Sequence, residues 1–199
     1  RISVAFFCNQ LWYLAVPTAE PASAEVEVLL LNCGNIMDMS FIEKYRIAAV
    51  LQVWQLGQES GNAVAAVLTG KVNPCGKLSD TIAKAYEDYP SSGSFGGVKF
   101  NNYEEDIFVG YRYFNTFAPE KILYPFGFGL SYTDFEYSDI KLSADSIKDT
   151  DKVTVSFKIK NTGSVDGAEV AQVYVTDNES TIFRPKQELK GFKKVFLKA

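Results

Sequence analysis

The chain has 199 residues, of which 47% are hydrophobic and 22% charged, and its mean hydropathy is −0.05. These values are typical of a globular protein with one large domain or two modest ones. The net charge of −4 argues against a nucleic-acid partner, which would need a basic face, and no apolar run is long enough to cross a membrane.

Two residue types limit the chemistry. The sequence has no histidine, which excludes Ser-His-Asp and Cys-His arrangements and imidazole zinc sites. Cys8, Cys33 and Cys75 have the spacing of neither a metal site nor a CxxC motif, so we expect free or buried thiols and no cofactor. The chain begins with Arg1, so the lack of a visible secretory signal says little about export. The free thiols favour a cytoplasmic location.

The first half of the chain predicts part of an open α/β layer. Residues 1–25 stay unassigned, because their apolar runs fit buried strands and core helix equally well. The apolar runs Val26–Leu31 and Ile47–Trp54 predict two buried strands. Between them, Phe41–Tyr45 fits one helical turn with Ser40 as its N-cap.

A helix is predicted over about residues 59–69, because the apolar residues of NAVAAVL fall on one helical face and Gly70 follows at the usual C-terminal position. Residues 71–102 show little periodicity and predict a long surface excursion. The sequence from 26 to 102 is therefore interpreted as a partial α/β sandwich domain, an open sheet with helices.

Residues 103–133 are crowded with aromatic side chains and carry too much apolar area for a solvated linker. They predict a packed aromatic seam between two domains. Gly127 and Gly129, which lie between aromatic residues, indicate close backbone packing or positive φ there.

From residue 134 to 199 the pattern has period two, with Val155, Phe157 and Ile159 alternating with polar residues. About four strands are expected, fewer than the seven or so of a complete sandwich, so we predict a truncated immunoglobulin or fibronectin III-like β-sandwich. The predicted fold class is α/β plus all-β.

Several motifs, in a fixed order over roughly residues 26–199, resemble the C-terminal part of glycoside hydrolase family 3, the family of β-glucosidases and β-xylosidases. The motifs are VLLLNCGNIMDMSFI, LQVWQLGQESGNAVAAVLTGKVNPCGKL, YEDYP, YEEDIFVGYRYF, LYPFGFGLSYTDFEYS and RPKQELKGFKKVFL. The resemblance implies an α/β sandwich domain followed by a fibronectin type III-like domain. Two departures are Ser60, where the family has Gly, and Ser79-Asp80, which replaces a proline.

The resemblance also implies a retaining mechanism with an Asp nucleophile and a Glu acid/base. The nucleophile belongs to an N-terminal (β/α)8 barrel that nothing in this sequence resembles. The acid/base belongs upstream of residue 26, in an acidic Glu-Gly-x-Asp-Arg-like context. Residues 1–25 contain only Glu20 and Glu25 as carboxylates, in a different context, so we assign no catalytic residue.

The candidates for substrate contact are Glu59, Tyr103 and Glu105. Glu59 begins the predicted helix, where a carboxylate also interacts well with the helix dipole, so a structural role is the simpler reading. Glu105 lies in an acidic run that fits either a solvated turn or mutually perturbed carboxylates. Arg112 is expected to stack or to bind a carboxylate in the seam rather than to bind sugar.

Two functions from different classes remain. The first is the C-terminal portion of a β-glycosidase, inactive alone, whose partners would be the missing barrel and a β-linked glucoside, xyloside or aryl glycoside. The alternative is a non-catalytic sugar-binding or scaffold module derived from such an enzyme. The sequence predicts no oligomeric state.

Overall fold

The computed structural model describes residues 3–7, 27–148 and 150–199. Outside the described residues lie Cys8, Glu20, Glu25 and the start of the strand predicted from Val26. The strands are β1 Ser3–Phe7, β2 Glu27–Leu31, β3 Ala49–Gln52, β4 Ile82–Ala83, β5 Ile122–Tyr124, β6 Phe135–Leu142, β7 Val155–Asn161, β8 Gly167–Val175 and β9 Glu188–Leu197. The helices are α1 Phe41–Lys44, α2 Ser60–Leu68 and α3 Tyr111–Phe117, with short 3₁₀ turns at Tyr86–Asp88, Pro90–Gly93 and Pro119–Lys121.

Strands β1, β2 and β3 form a parallel sheet in that order. Strand β2 lies between its two neighbours, and its three leucines, Leu29, Leu30 and Leu31, are buried. A parallel strand covered on both faces needs a continuous apolar run, which explains the EVLLL sequence. The strand predicted at this position is confirmed, and within the unassigned segment 1–25 the strand alternative holds for Ser3–Phe7.

The second predicted strand is confirmed in type but not in burial. β3 is shorter than Ile47–Trp54, Ala49 is exposed, and the other three residues are half-buried. Within the described sheet β3 has only β2 as a neighbour, so it is an edge strand. An apolar run does not distinguish a central strand from an edge strand, so the prediction of burial was wrong.

The helical turn α1 is confirmed, but its predicted cap is not. The Ser40 side chain makes no capping hydrogen bond. Instead, the Ser40 backbone N–H donates to Asp38 Oδ1 at 2.8 Å, and this bond lowers the pKa of Asp38. The acceptor at the start of the turn is therefore a carboxylate two residues earlier.

Helix α2 is confirmed over Ser60–Leu68. Gly70 has φ +73°, and its N–H donates to the Val67 carbonyl at 2.9 Å, as expected for a C-terminal glycine. Tyr132 Oη, from the aromatic region, donates to the same Val67 carbonyl at 3.0 Å. No residue of α2 is buried; Val64, Val67 and Leu68 are half-buried, whereas Ala63 is exposed.

The prediction of a surface excursion over residues 71–102 was wrong for Thr81–Ala83, which are buried. Ile82 packs in a core cluster with Leu29, Leu31 and Met39, while Ala83 packs with Phe114 and Ala118. Neighbouring residues of a strand point to opposite faces, so the short strand β4 joins two cores. It is held by antiparallel pairing with β5, about forty residues later in the chain.

The last part of the chain contains the four predicted strands, paired as β6–β7 and β8–β9, both antiparallel. In β7, half-buried Val155, Phe157 and Ile159 alternate with exposed residues, as predicted. Strand β9 carries its lysines on exposed positions. Together with the parallel sheet, these pairs confirm the fold class of α/β plus all-β.

Aromatic residues of the predicted seam pack against one another and against strands β8 and β9. The Tyr111 ring lies 4.7 Å from the Phe126 ring and 6.0 Å from the Tyr174 ring of β8, measured between centroids. The Leu189 backbone N–H donates to Tyr111 Oη at 2.9 Å. The domain boundaries at 26–102, 103–133 and 134–199 stay predictions.

The two seam glycines pack as expected. Gly127 has φ +80°, and a Cβ there would lie 2.3 Å from Gln172 Oε1. At Gly129 a Cβ would lie 2.2 Å from the Gly76 carbonyl oxygen. Backbone bonds between Leu78 and residues 127–128 hold this approach, at 2.7 and 2.8 Å. Only glycine fits either position without displacing its neighbour.

Candidate functional site

The loops that follow β2 and β3 form the first candidate site. Because the strands are parallel, their carboxyl ends lie at the same edge of the sheet. In open α/β sheets this edge is where ligands usually bind. The two loops line a cleft of about 400 Å³. Its lining residues are Cys33, Gly34, Asn35, Ile36, Met37 and Gln55.

The two loops are held closely against each other. The Val53 N–H donates to the Leu31 carbonyl at 3.0 Å, which continues the strand pairing past the end of β3. Trp54 then adopts φ +56°, a conformation that costs about 1–3 kcal/mol for a bulky residue. After this bend, the Gln55 amide lies against Gly34, where an added Cβ would be 3.0 Å from Gln55 Cδ. Gly34 therefore leaves the space that the amide occupies.

The chemistry of this cleft is that of hydrogen bonding. Its polar side chains are the amides of Asn35 and Gln55 and the Cys33 thiol. The thiol donates to the backbone carbonyl of Asn35 at 3.2 Å. The Gln52 Nε2 donates to Cys33 Sγ at 3.7 Å, and Gln52 Oε1 is buried with no partner among the described residues. A buried acceptor without a donor is costly. The amides of the cleft can orient a polar ligand, but its lining includes no carboxylate, imidazole or amine.

Of the three predicted contact residues, the topology places Glu59 at this edge. Glu59 ends the loop after β3, directly before α2, and its Oε2 accepts a hydrogen bond from Asn62 Nδ2. Tyr103 is 95% exposed, and Glu105 is half-buried in the turn whose Phe108 N–H donates to the Glu105 carbonyl at 2.9 Å. No hydrogen bond among the described residues joins Glu59 to Tyr103 or Glu105. Their roles as substrate contacts stay predictions.

Asn35 and Gln55 were missed by sequence reasoning, although a signal was available. Each follows a predicted strand by a few residues, and loops at the carboxyl ends of successive parallel strands meet at one edge. A carboxylate is a catalytic candidate by residue type alone, whereas an amide in a loop belongs to no comparable motif.

Arg112 takes the seam role predicted for it. Its Nη2 lies 3.8 Å from Glu188 Oε1, and its guanidinium carbon lies 5.9 Å from the centroid of the Tyr111 ring. The Arg112 Nε is buried without a partner among the described residues. The side chain therefore joins α3 to the start of β9 through a carboxylate and an aromatic face.

Two further searches concern the described residues only. No group of three or more His, Cys, Asp or Glu side chains in the described part of the chain is arranged to hold a metal ion. None of the helices in the described ranges is long and apolar enough to cross a membrane.

Comparison with known proteins identifies two regions of the chain. Residues 18–132 match the glycosyl hydrolase family 3 C-terminal domain, and residues 169–199 match the fibronectin type III-like domain. A β-glucosidase from Ruminococcus albus is 48% identical over 167 residues, which cover 84% of this chain and 17% of that protein. Thermostable beta-glucosidase B from Acetivibrio thermocellus is 46% identical, covering 88% of this chain and 23% of that protein.

Solved structures give the same result. β-Glucosidase 3B from Thermotoga neapolitana, in complex with glucose, matches with a TM-score of 0.80 and 43% identity over 87% of this chain and 24% of that chain. A β-glucosidase from Paenibacillus barengoltzii matches with a TM-score of 0.79 and 45% identity, over 87% of this chain and 19% of its own. The chain thus spans only 17% and 23% of the length of the two curated relatives. It belongs to glycosyl hydrolase family 3, whose C-terminal domain it carries.

Proposed function

We propose that this chain is the C-terminal portion of a β-glycosidase that hydrolyses O-glycosidic bonds with retention. Its role is to complete the substrate cleft of a (β/α)8 barrel domain with the loops at the carboxyl edge of its parallel sheet. The observation that carries the proposal is the composition of the cleft: Asn35 and Gln55 offer amides for sugar hydroxyls, and the lining includes no carboxylate.

Retention requires two carboxylates about 5–5.5 Å apart across the glycosidic bond. No residue of the matched motifs is assigned as either carboxylate, so both come from sequence outside those motifs. The 199-residue chain alone therefore has no hydrolase activity. In this proposal the cleft residues bind and orient the substrate and take no part in proton transfer. An amide holds a hydroxyl through one donor and one acceptor. Glu59, Tyr103 and Glu105 are the proposed additional contacts, to sugar or to the barrel.

Exposed apolar side chains favour the view that another domain covers part of this chain. In the segment before α3, Phe95, Val98, Phe100 and Tyr103 are at least 73% exposed. Contiguous exposed apolar surface usually marks a contact with another domain or protein. A scaffold or sugar-binding module that works alone would have little reason to expose this much, which favours the enzyme portion over the alternative.

The proposal is tested in two steps with aryl β-glucoside, aryl β-xyloside and aryl α-L-arabinopyranoside. A relative from Bifidobacterium longum, an exo-alpha-(1->6)-L-arabinopyranosidase, is the reason for the third substrate. The purified chain is expected to show no turnover. A chimera, in which this chain replaces the matching segment of the Ruminococcus albus β-glucosidase, is expected to hydrolyse at least one substrate.

In the chimera, the double variant Asn35→Ala/Gln55→Ala is expected to raise KM by about tenfold, through loss of two hydrogen bonds. The control is Asn178→Ala, an exposed amide beyond β8, which should leave kcat/KM unchanged. Turnover by the chain alone, or a folded chimera with no activity on any substrate, would contradict the proposal. Sugar binding without turnover by that chimera would favour the non-catalytic module.

A further inference from the structure

A second cleft, of about 510 Å³, lies between the aromatic seam and strand β8. It shares no lining residue with the cleft at the carboxyl edge. Residues of α3 and the segment after it, of β6, of β8 and of the segment before β9 form its walls. Its volume falls within the range of small-molecule sites, about 300–1,000 Å³.

One wall is aromatic and held in place. The Phe126 ring stacks on Tyr111 at 4.7 Å, and Tyr174 meets the same tyrosine edge-on. Tyr174 Oη donates to Gln172 Oε1 at 2.6 Å, and Gln172 Nε2 donates to the Gly127 carbonyl at 3.3 Å. The rings that line the cleft therefore lose little freedom when a ligand binds.

The other wall offers uncommitted amides. Asn115 and Gln187 line the cleft, are half-buried, and make no side-chain hydrogen bond with any described residue. Each amide provides two donors and one acceptor oxygen. Each can therefore bind a hydroxyl group without giving up an existing bond.

The carboxylate that lines the cleft, Glu169, is already paired. The Glu169 carboxylate is 3.1 Å from Lys77 Nζ and accepts a hydrogen bond from Tyr137 Oη at 3.1 Å. Burial, reinforced by Glu169, raises the pKa of Tyr137 to about 12, so this hydroxyl stays protonated. A cationic ligand would therefore gain no unpaired charge from Glu169. The exposed Lys186 ammonium at the rim can donate to a hydroxyl, so a neutral polyhydroxylated ligand finds hydroxyl, amide, ammonium and aromatic partners.

We propose that this cleft is an accessory site for a neutral carbohydrate of one or two sugar units. Aromatic faces pack against the apolar C–H face of a pyranose, and amides bind its hydroxyls. The inference goes beyond the proposed function and does not depend on it, because the site shares no residue with the carboxyl-edge cleft.

The test is titration of the ¹⁵N-labelled 199-residue chain with cellobiose, followed through backbone amide resonances. Resonances of β8 and of residues 186–187 are expected to shift with a Kd on the order of 1 mM. The double variant Asn115→Ala/Gln187→Ala should raise that Kd by about tenfold or more. Since neither amide bonds to a described residue, the variant should keep the wild-type circular dichroism and melting temperature.

Two controls separate this site from the other. Asn178→Ala removes an exposed amide elsewhere and should leave the Kd unchanged. Asn35→Ala/Gln55→Ala alters only the carboxyl-edge cleft and should leave the shifts around β8 unchanged. The accessory site is disproved if cellobiose shifts only resonances at residues 33–37 and 55, or if a folded Asn115/Gln187 variant binds like wild type. Either result would leave the proposed function intact, because that rests on the chimera.

Discussion

The ion pair between Lys77 and Glu169 joins the loop before β4 to strand β8, and its removal should destabilise the chain. The two side chains are only 17% and 13% exposed, and Lys77 Nζ also donates to the Gly129 carbonyl at 2.8 Å. Removing one partner of a buried pair costs about 3–5 kcal/mol, because the other charge is left unpaired. The residual exposure of both groups lowers our expectation for Lys77→Met to about 2–3 kcal/mol.

For a chain of this length, that loss corresponds to a melting temperature lower by roughly 5–10 °C. The assay is thermal unfolding of Lys77→Met, Glu169→Met and the double variant. The double variant should lose less than the sum of the single variants, since replacing both charges by apolar groups leaves no buried charge unpaired. Lys158→Met, which breaks an exposed pair with Asp139, is the matched control and should change the melting temperature by less than about 2 °C.

Either of two results would refute this reasoning. If Lys77→Met melts within about 2 °C of wild type, water already compensates the charge. If the effects of the single variants add in the double variant, the two side chains are not energetically coupled.

Three further predictions follow from the described contacts. Gly127→Ala should lower the free energy of unfolding by about 1–3 kcal/mol, because the φ of +80° and the facing Gln172 amide of β8 both oppose a Cβ. The control is Gly61→Ala, in helix α2 with open space around it, which should be neutral or stabilise by about 0.5–1 kcal/mol. Urea unfolding of both variants measures the difference. In the same assay, Ile82→Ala should lower the free energy of unfolding by about 2–5 kcal/mol, because Ile82 is buried. Val98→Ala, at a fully exposed position, should change it by close to nothing. Equal losses in the two variants would contradict the core position of β4. The pKa of Tyr137 in the folded chain is about 12, above its ordinary value of 10.0. The contribution of this phenol to the stability of the fold is therefore complete below pH 10 and is lost as the pH rises through 12. In an alkaline titration, Tyr137→Phe should remove the phenolate absorbance that appears last, and an unchanged curve would refute the assignment.

Local patterns predicted those elements whose burial follows from neighbouring sequence. The helical face of α2 with Gly70, the continuous apolar run of β2 and the alternation of β7 are each visible within about ten residues. Strand β4 could not be found in this way, because two residues carry no period and its partner β5 lies about forty residues away. The exposed edge of β3 depends likewise on which strands neighbour it.

The candidate site was predictable only in outline. The position of two successive parallel strands predicts an edge where ligands bind, but the amides Asn35 and Gln55 become candidates only when the bend at Trp54 brings the loops together. Glu59 follows β3 and directly precedes α2, and this topology puts it at the same edge. Tyr103 and Glu105 depend on a loop whose contacts with other parts of the chain could not be inferred from composition.

The distribution of packing agrees with the proposed function. Hydrogen bonds from Asn73 hold the seam to both of its neighbours. Asn73 Oδ1 accepts hydrogen bonds from Ser131 Oγ and from the Tyr132 N–H, at 2.8 Å each, and Asn73 Nδ2 donates to the Asp166 backbone carbonyl at 3.1 Å. In contrast, helix α2 has no buried residue, and the apolar residues before α3 are exposed. Glycines that admit no side chain and a paired internal charge suit a permanent contact within one polypeptide. Exposed apolar side chains near half-packed elements suit a surface that another domain covers. The barrel is therefore expected on the α/β side of this chain, where the carboxyl-edge cleft also opens, while the β-sandwich strands brace that side through the seam.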